Sequence, residues 1–166
     1  MLVQNKHLTT IWYEPNTDKI KIIDQRFIPF ELKIVELNTV DEICFAIKEM
    51  QVRGAPLIGV TAAFGMYIAA RENSDLNYLK NASKRINATR PTAVNLSWAL
   101  DKIMTSIVDI NKERLPNKIL ELANNIREDD INNCKNIGEY GYKLIKQVYE
   151  KNNRPVNILT HCNAGW

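Results

Sequence analysis

The sequence predicts an α/β chain: an α+β N-terminal domain in which a small antiparallel sheet precedes a helical bundle, followed by the first strand of a second, α/β-type domain. Three observations carry this reading. Two short runs of Ile, Thr and aromatic residues are joined by Pro15-Asn16-Thr17-Asp18, which has hairpin-turn chemistry. Through the middle of the chain, apolar residues recur at helical spacing behind identifiable helix starts. After Arg154-Pro155 comes Val156-Asn157-Ile158-Leu159-Thr160, which has the character of a buried parallel strand.

The elements follow in order. Residues 8–13 and 19–23 form the hairpin, and a third strand is expected over 31–37, after the break at Pro29. Thr39 with Glu42 three residues on makes a capping box, and Val40, Ile43, Ile47 and Met50 then share one helical face. Cys44 sits beside that face and reads as a small core residue. Residues 51–55 break the helix, and Pro56 is placed to open the next one, which runs to about Arg71. Further helices are expected over 76–88 and 92–109. A long helical stretch covers 117–151, with Asp129-Asp130 as its point of interruption. In its second half Cys134, Ile137, Gly138, Gly141, Ile145 and Val148 form a stripe, the two glycines admitting close approach of another helix and Cys134 lying in the core. The expected division is 1–152 for the first domain and 153–166 for the start of the second.

Composition narrows the function classes. With 166 residues, 45% of them hydrophobic and 25% charged, the chain can bury one good core. Lysine and arginine number 22 against 19 acidic residues and are scattered rather than gathered into a stripe with aromatics, so nucleic acid is not an expected partner. Cys44, Cys134 and Cys162 lie far apart without metal-type spacing, and no signal-peptide pattern opens the sequence, which fits a reducing cytoplasm. Residues 54–70 carry no charge. That stretch is shorter than the ~20 residues of a spanning helix and begins with Gly and Pro, so it reads as a buried core helix rather than a membrane span. No internal repeat or low-complexity tract is present.

Three segments carry chemistry. In Val52-Arg53-Gly54-Ala55-Pro56, a cation precedes a glycine that lets backbone approach a ligand and a helix start whose free N–H groups favour an anion. The same residues would also make an ordinary loop with a solvated arginine. Thr89-Arg90-Pro91-Thr92 repeats the arrangement, and two arginine-bearing helix starts suit a doubly charged phosphate ester, although Arg90 alone would read as a surface residue. Asn95 could cap or cross-link locally as easily as touch a ligand. The third segment is His161-Cys162-Asn163. A cysteine leaving a strand toward a helix N-terminus can have its thiolate stabilised and serve as nucleophile, acid or base. Adjacent strand residues point to opposite faces, so His161 and Cys162 make a poor dyad, and His161 reads as a supporting residue. The only other histidine, His7, completes no zinc set.

Taken together, these segments resemble the signature blocks of the S-methyl-5-thioribose-1-phosphate isomerases. The blocks are Met50-Gln51-Val52-Arg53-Gly54-Ala55-Pro56 with Ile58-Gly59, Arg90-Pro91-Thr92-Ala93-Val94-Asn95-Leu96 with Trp98-Ala99, and Ile158-Leu159-Thr160-His161-Cys162-Asn163-Ala164-Gly165. Thr10-Ile11-Trp12 and Ile23-Asp24-Gln25 are similar to the same family's opening hairpin. The resemblance runs in order over essentially the whole chain.

The resemblance implies an aldose–ketose isomerase of methionine salvage that converts 5-methylthioribose 1-phosphate to 5-methylthioribulose 1-phosphate, with no metal and no organic cofactor. It implies substrate binding, chiefly of phosphate, by Arg53, Gly54, Ala55 and Arg90, and an active-site role for Cys162. Family members are homodimers and continue through a Rossmann-like domain that supplies a catalytic aspartate. This sequence reaches only that domain's first strand, so the expectation is a truncated chain with little isomerase activity of its own. Two alternatives share the architecture. Isomerases of 5-deoxyribose 1-phosphate or ribose 1,5-bisphosphate differ only at the sugar's 5-position, whereas regulatory subunits of the initiation factor 2B type bind without catalysing.

Overall fold

The structure, a computed structural model, describes residues 2–3 and 6–161, with side chains from residue 8 onward. Two short strands not expected from the sequence, β1 (Leu2–Val3) and β2 (Lys6–His7), pair antiparallel. The main sheet has three antiparallel strands in the order β3 (Ile11–Glu14), β4 (Lys19–Ile23), β5 (Ile34–Leu37). Its register sets Ile11 opposite Ile22 and Ile20 opposite Leu37, so one face carries four buried aliphatic side chains. The opposite face is charged, with Lys19 Nζ 2.5 Å and Lys21 Nζ 3.5 Å from the Glu36 carboxylate.

The hairpin turn is tied to the helices by Asp18, which adopts a left-handed φ of 54°. Its carboxylate accepts hydrogen bonds from the hydroxyls of Tyr13 (3.0 Å) and Tyr67, and Arg71 Nη1 donates to its main-chain oxygen at 2.7 Å. The rings of Tyr13 and Tyr67 meet edge to face, with centroids 5.8 Å apart. Burial opposes the charge on Asp18, but the two tyrosine hydroxyls and the Arg71 guanidinium outweigh it and hold the carboxyl below its ordinary range.

Helix α1 (Val40–Lys48) begins with the expected capping box. The Glu42 amide donates to Thr39 Oγ1, and the Glu42 carboxylate accepts from the Thr39 amide at 3.1 Å. Helix α2 (Ala55–Glu72) contains the uncharged stretch and ends in Arg71 and Glu72, and Ile58 through Ala70 are all buried. A helix apolar on every side belongs in the interior. Accordingly α1, α3 (Leu76–Asn87) and α4 (Val94–Ser106) all pack on α2. Gly65 admits a close approach of α1 and α3, since a Cβ there would stand 2.8 Å from Ile43 Cγ2 and 3.0 Å from Ile86 Cδ1. No helix among the described residues is long and apolar enough to cross a membrane.

After a short 3-10 turn (Lys112–Arg114), α5 runs unbroken from Leu115 to Asn152. Asp129-Asp130 does not interrupt it: Asp is a weak helix former, but its cost of about 0.7 kcal/mol or less relative to Ala is too small to break a long helix, and neither Pro nor Gly intervenes there. The chain forms two compact units, Met1–Arg127 and Glu128–Trp166. In the first, Leu115, Ile119, Ala123 and Ile126 of α5 join the core. In the second, the expected internal stripe is exposed. Ile137 is 72% accessible and Cys134 is exposed, which corrects its assignment to the core. Nothing lies within 4 Å of a Cβ built on Gly138 or Gly141, so among the described residues no helix approaches them closely. Residues 156–160 do not form the expected strand here; a strand requires a partner ladder, and none is present among the described residues. Cys44 is half-buried against the core, where burial raises its thiol pKa, as expected of an inert packing residue.

Candidate functional site

Arg53 stands at the junction between α1 and α2. The two residues before it, Gln51 and Val52, are buried, while Arg53 to Pro56 are exposed. The Val52 amide donates to Ala46 O at 3.2 Å, folding the segment back onto α1. The end of β4 holds it from the other side. Gln25 N donates to Gln51 O at 2.9 Å, and Gln25 Oε1 accepts from the Arg53 amide at 3.1 Å. Gln51 Nε2 in turn donates to Asp24 Oδ2 at 2.8 Å.

Asp24 is fully buried, and its carboxylate also accepts from the Arg26 amide and, in a two-toothed ion pair, from Arg26 Nε at 2.9 Å and Nη2 at 2.7 Å. Burial works against its charge, but the Arg26 and Gln51 hydrogen bonds prevail and depress the carboxyl pKa. None of these three polar residues, Asp24, Gln25 and Gln51, was assigned a site role from sequence. The signals were their membership of the blocks Ile23-Asp24-Gln25 and Met50-Gln51 and, for Asp24-Gln25, a polar pair directly after an apolar strand.

Gly54 caps α2 with φ 100° and ψ 132°, a conformation that costs an L-residue strain. A Cβ there would meet nothing within 4 Å, so the backbone angle rather than crowding calls for glycine. No side chain caps the helix, Pro56 lies in its first turn and no acidic residue does. The start of α2 thus has the polarity that favours an anion, with Arg53 two residues before it in the chain.

Helix α4 starts later than expected, at Val94 rather than 92, because Arg90-Pro91-Thr92-Ala93 forms a turn in which the Ala93 amide donates to Arg90 O at 3.0 Å. Pro91 therefore belongs to the turn and does not open the helix. Arg90 is half-buried, and α4, like α2, has no side-chain cap and no acidic residue in its first turn. The two helix starts meet at Gly59, one turn into α2, whose absent Cβ would stand 2.7 Å from the main-chain oxygen of Asn95 in the first turn of α4. Asn95 thus contacts α2 through its backbone. Among the described residues neither Arg53 nor Arg90 has a carboxylate within ion-pair distance. Cys162 lies outside the described residues, and His161 is exposed in irregular chain.

A helical bundle packed beside a small antiparallel sheet, with the opening turns of two uncapped helices in contact, defines the class as an α/β protein. The profile of the Initiation factor 2 subunit family matches residues 51–166, and the chain belongs to that family. Its relatives include methylthioribose-1-phosphate isomerases from Methylorubrum extorquens, 40% identical, and from Methylocella silvestris, 46% identical. Each alignment covers 100% of this chain and 46% of the relative, so the chain spans about half the length of the curated relatives it matches. Among solved structures it is similar to 5-methylthioribose 1-phosphate isomerase from Pyrococcus horikoshii (TM-score 0.69, 32% identity, 75% of this chain and 37% of that one). It is equally similar to translation initiation factor eIF-2B subunit delta from A. fulgidus (TM-score 0.72, 33% identity, 83% and 42%).

Proposed function

We propose that this chain is the phosphate-binding N-terminal portion of an aldose–ketose isomerase that converts 5-methylthioribose 1-phosphate to 5-methylthioribulose 1-phosphate in methionine salvage, in the cytoplasm. The observation that carries the proposal is the contact of Gly59 with Asn95, which sets the opening turns of α2 and α4 against each other and supports reading the arginine before each of them as part of one anion site. The names of the relatives supply the substrate.

In this reading Arg53, Arg90 and the amides of Gly54 and Ala55 grip the C1 phosphate. That ester blocks the ring opening open to a free sugar, so the ring must be opened with assistance before hydrogen passes between C1 and C2. Cys162 serves as the active-site cysteine, and its acid–base partner comes from the Rossmann-like half that the relatives' greater length leaves room for. The domain boundary falls at 152/153, the complete enzyme is a homodimer, and no nucleic acid takes part. The isomerase works without a metal or organic cofactor.

The resemblance to the initiation factor subunit keeps a second reading in view, in which the same site senses a ligand without turning it over. A chimera decides between them. Residues 1–166 would be joined to the part of the Methylocella silvestris relative that follows its matched segment, and assayed on 5-methylthioribose 1-phosphate. Turnover that is lost on Arg53→Met and on Cys162→Ser supports the isomerase. A folded chimera that binds the sugar phosphate without converting it, beside an active parent enzyme, supports the sensor instead.

A further inference from the structure

The proposed phosphate grip depends on main-chain direction at Arg53, and that direction is not set by α2 itself. Gly54 turns the chain through a φ of 100° with no side-chain cap; its carbonyl accepts from the Ile58 amide at 3.0 Å, but no side chain of α2 holds the Arg53 amide. The Val52 bond to Ala46 O folds the segment onto α1, and the Arg53 amide itself is held by Gln25, which follows β4 and lies 28 residues earlier in the sequence.

We infer that Gln25, backed by Asp24 through Gln51, is a positioning residue for the phosphate site. Its Oε1 holds the Arg53 amide, and so orients the Gly54 and Ala55 amides toward a sugar 1-phosphate. This rests on the proposed function. The amide of Arg53 can only donate, so the Gln25 side chain must present its oxygen there. Its own main-chain amide is committed to Gln51 O, which makes a two-point clamp across the loop. The Gln51 side chain is held by a carboxylate that is itself locked by Arg26, so each member of the relay is braced by the next. All three relay residues are buried while the residues they aim are exposed, the arrangement expected of a support beneath a ligand-facing surface.

The test titrates α-D-ribose 1-phosphate into the full chain while amide resonances are followed, in wild type and in Arg53→Met, Gln25→Met and Gln51→Met. Methionine keeps the length of the glutamine side chain and removes its hydrogen bonds. Ile86→Val, whose side chain lies against Gly65 more than two turns along α2, serves as a stability-lowering control.

The inference expects Gln25→Met to weaken binding at least ~fivefold, the factor of one lost hydrogen bond. It also expects shifted and faster-exchanging Arg53 and Gly54 amides in the ligand-free protein, and wild-type affinity in Ile86→Val. Gln51→Met should act in the same direction and carries the test if Gln25→Met does not fold. Wild-type affinity in Gln25→Met, beside weakened binding in Arg53→Met, overturns the positioning role and leaves the proposed site standing. No binding to wild type, or binding indifferent to Arg53→Met, overturns the site and the positioning role together.

Discussion

Gly59 and Asn95 touch through backbone: a Cβ on the glycine would stand 2.7 Å from the asparagine's carbonyl oxygen and 3.3 Å from its Cβ. The obstructing atom belongs to the main chain of a helix, so it cannot swing aside. Gly59→Ala is therefore expected to push α4 away and cost about 1–3 kcal/mol, as overpacking of a tight contact does. It should weaken sugar-phosphate binding as well, because both helix starts move. Urea unfolding and a ribose 1-phosphate titration check the two halves; an alanine variant as stable as wild type contradicts the contact.

Gly54 makes the opposite case. Space is open around it, but its φ of 100° penalises any L side chain. Gly54→Ala is expected to lose about 1–3 kcal/mol through strain alone, or to relax its backbone and misdirect the first amides of α2. Comparing the unfolding midpoint with phosphate affinity separates the outcomes, and a variant unchanged in both speaks against the strained cap.

Acid should loosen two ties. Asp18 and Asp24 are both held below the ordinary carboxyl value of 3.8. As pH falls, the unfolded chain takes up these protons before the native one does. Their stabilising contribution is complete above that value and is lost as pH drops through the depressed native values. The unfolding free energy should therefore decline below about pH 4, and Asp18→Asn should flatten part of that decline. Urea titrations from pH 6 to pH 2.5 measure it; an undiminished acid slope in the variant would sink the assignment to Asp18.

Thr39→Ala is expected to cost about 1 kcal/mol, since it removes the acceptor for the Glu42 amide and leaves only the return bond from the Glu42 carboxylate. Far-UV circular dichroism during denaturation reads this directly. No loss would mean that water replaces the cap without penalty.

The exposed apolar side chains in the second half of α5, among them Ile137 and Leu144, predict tolerance. Ile137 and Leu144 are 72% and 65% exposed, so Ile137→Lys and Leu144→Lys should change stability by no more than about 0.5 kcal/mol. They should also reduce binding of a hydrophobic dye by the isolated chain. A loss of several kcal/mol would show that these side chains are buried in solution.

Much of the fold was legible because its determinants are local. The Thr39/Glu42 box, the proline after Gly54, the alternation along Lys19–Ile23 and the uncharged run of α2 each lie within a few residues of what they determine. The start of α4 was misread by two residues because Pro91 suits either a helix opening or a turn, and only the Ala93 bond to Arg90 selects the turn. The stripe on α5 has helical period, but periodicity marks an apolar face and does not say what covers it. At the candidate site the two arginines were legible from the sequence. Their support was not, because Asp24 to Gln51 and Gln25 to Arg53 are pairings across 27 and 28 residues that no spacing rule encodes. The position of Cys162 lies outside the described residues.

The all-round burial of α2 bears on how the chain can change over evolutionary time. A helix with one solvent face can absorb an inserted or deleted residue by rolling, but α2 is gripped from every side. One residue removed between Gly59 and Gly65 would rotate its start by about 100° and draw it in by about 1.5 Å, carrying Arg53 off its azimuth while Gly59 and Gly65 lost their facing partners. Insertions and deletions should therefore be scarce across this segment in functional homologues, and length variation should gather in the loops that precede α3 and α5.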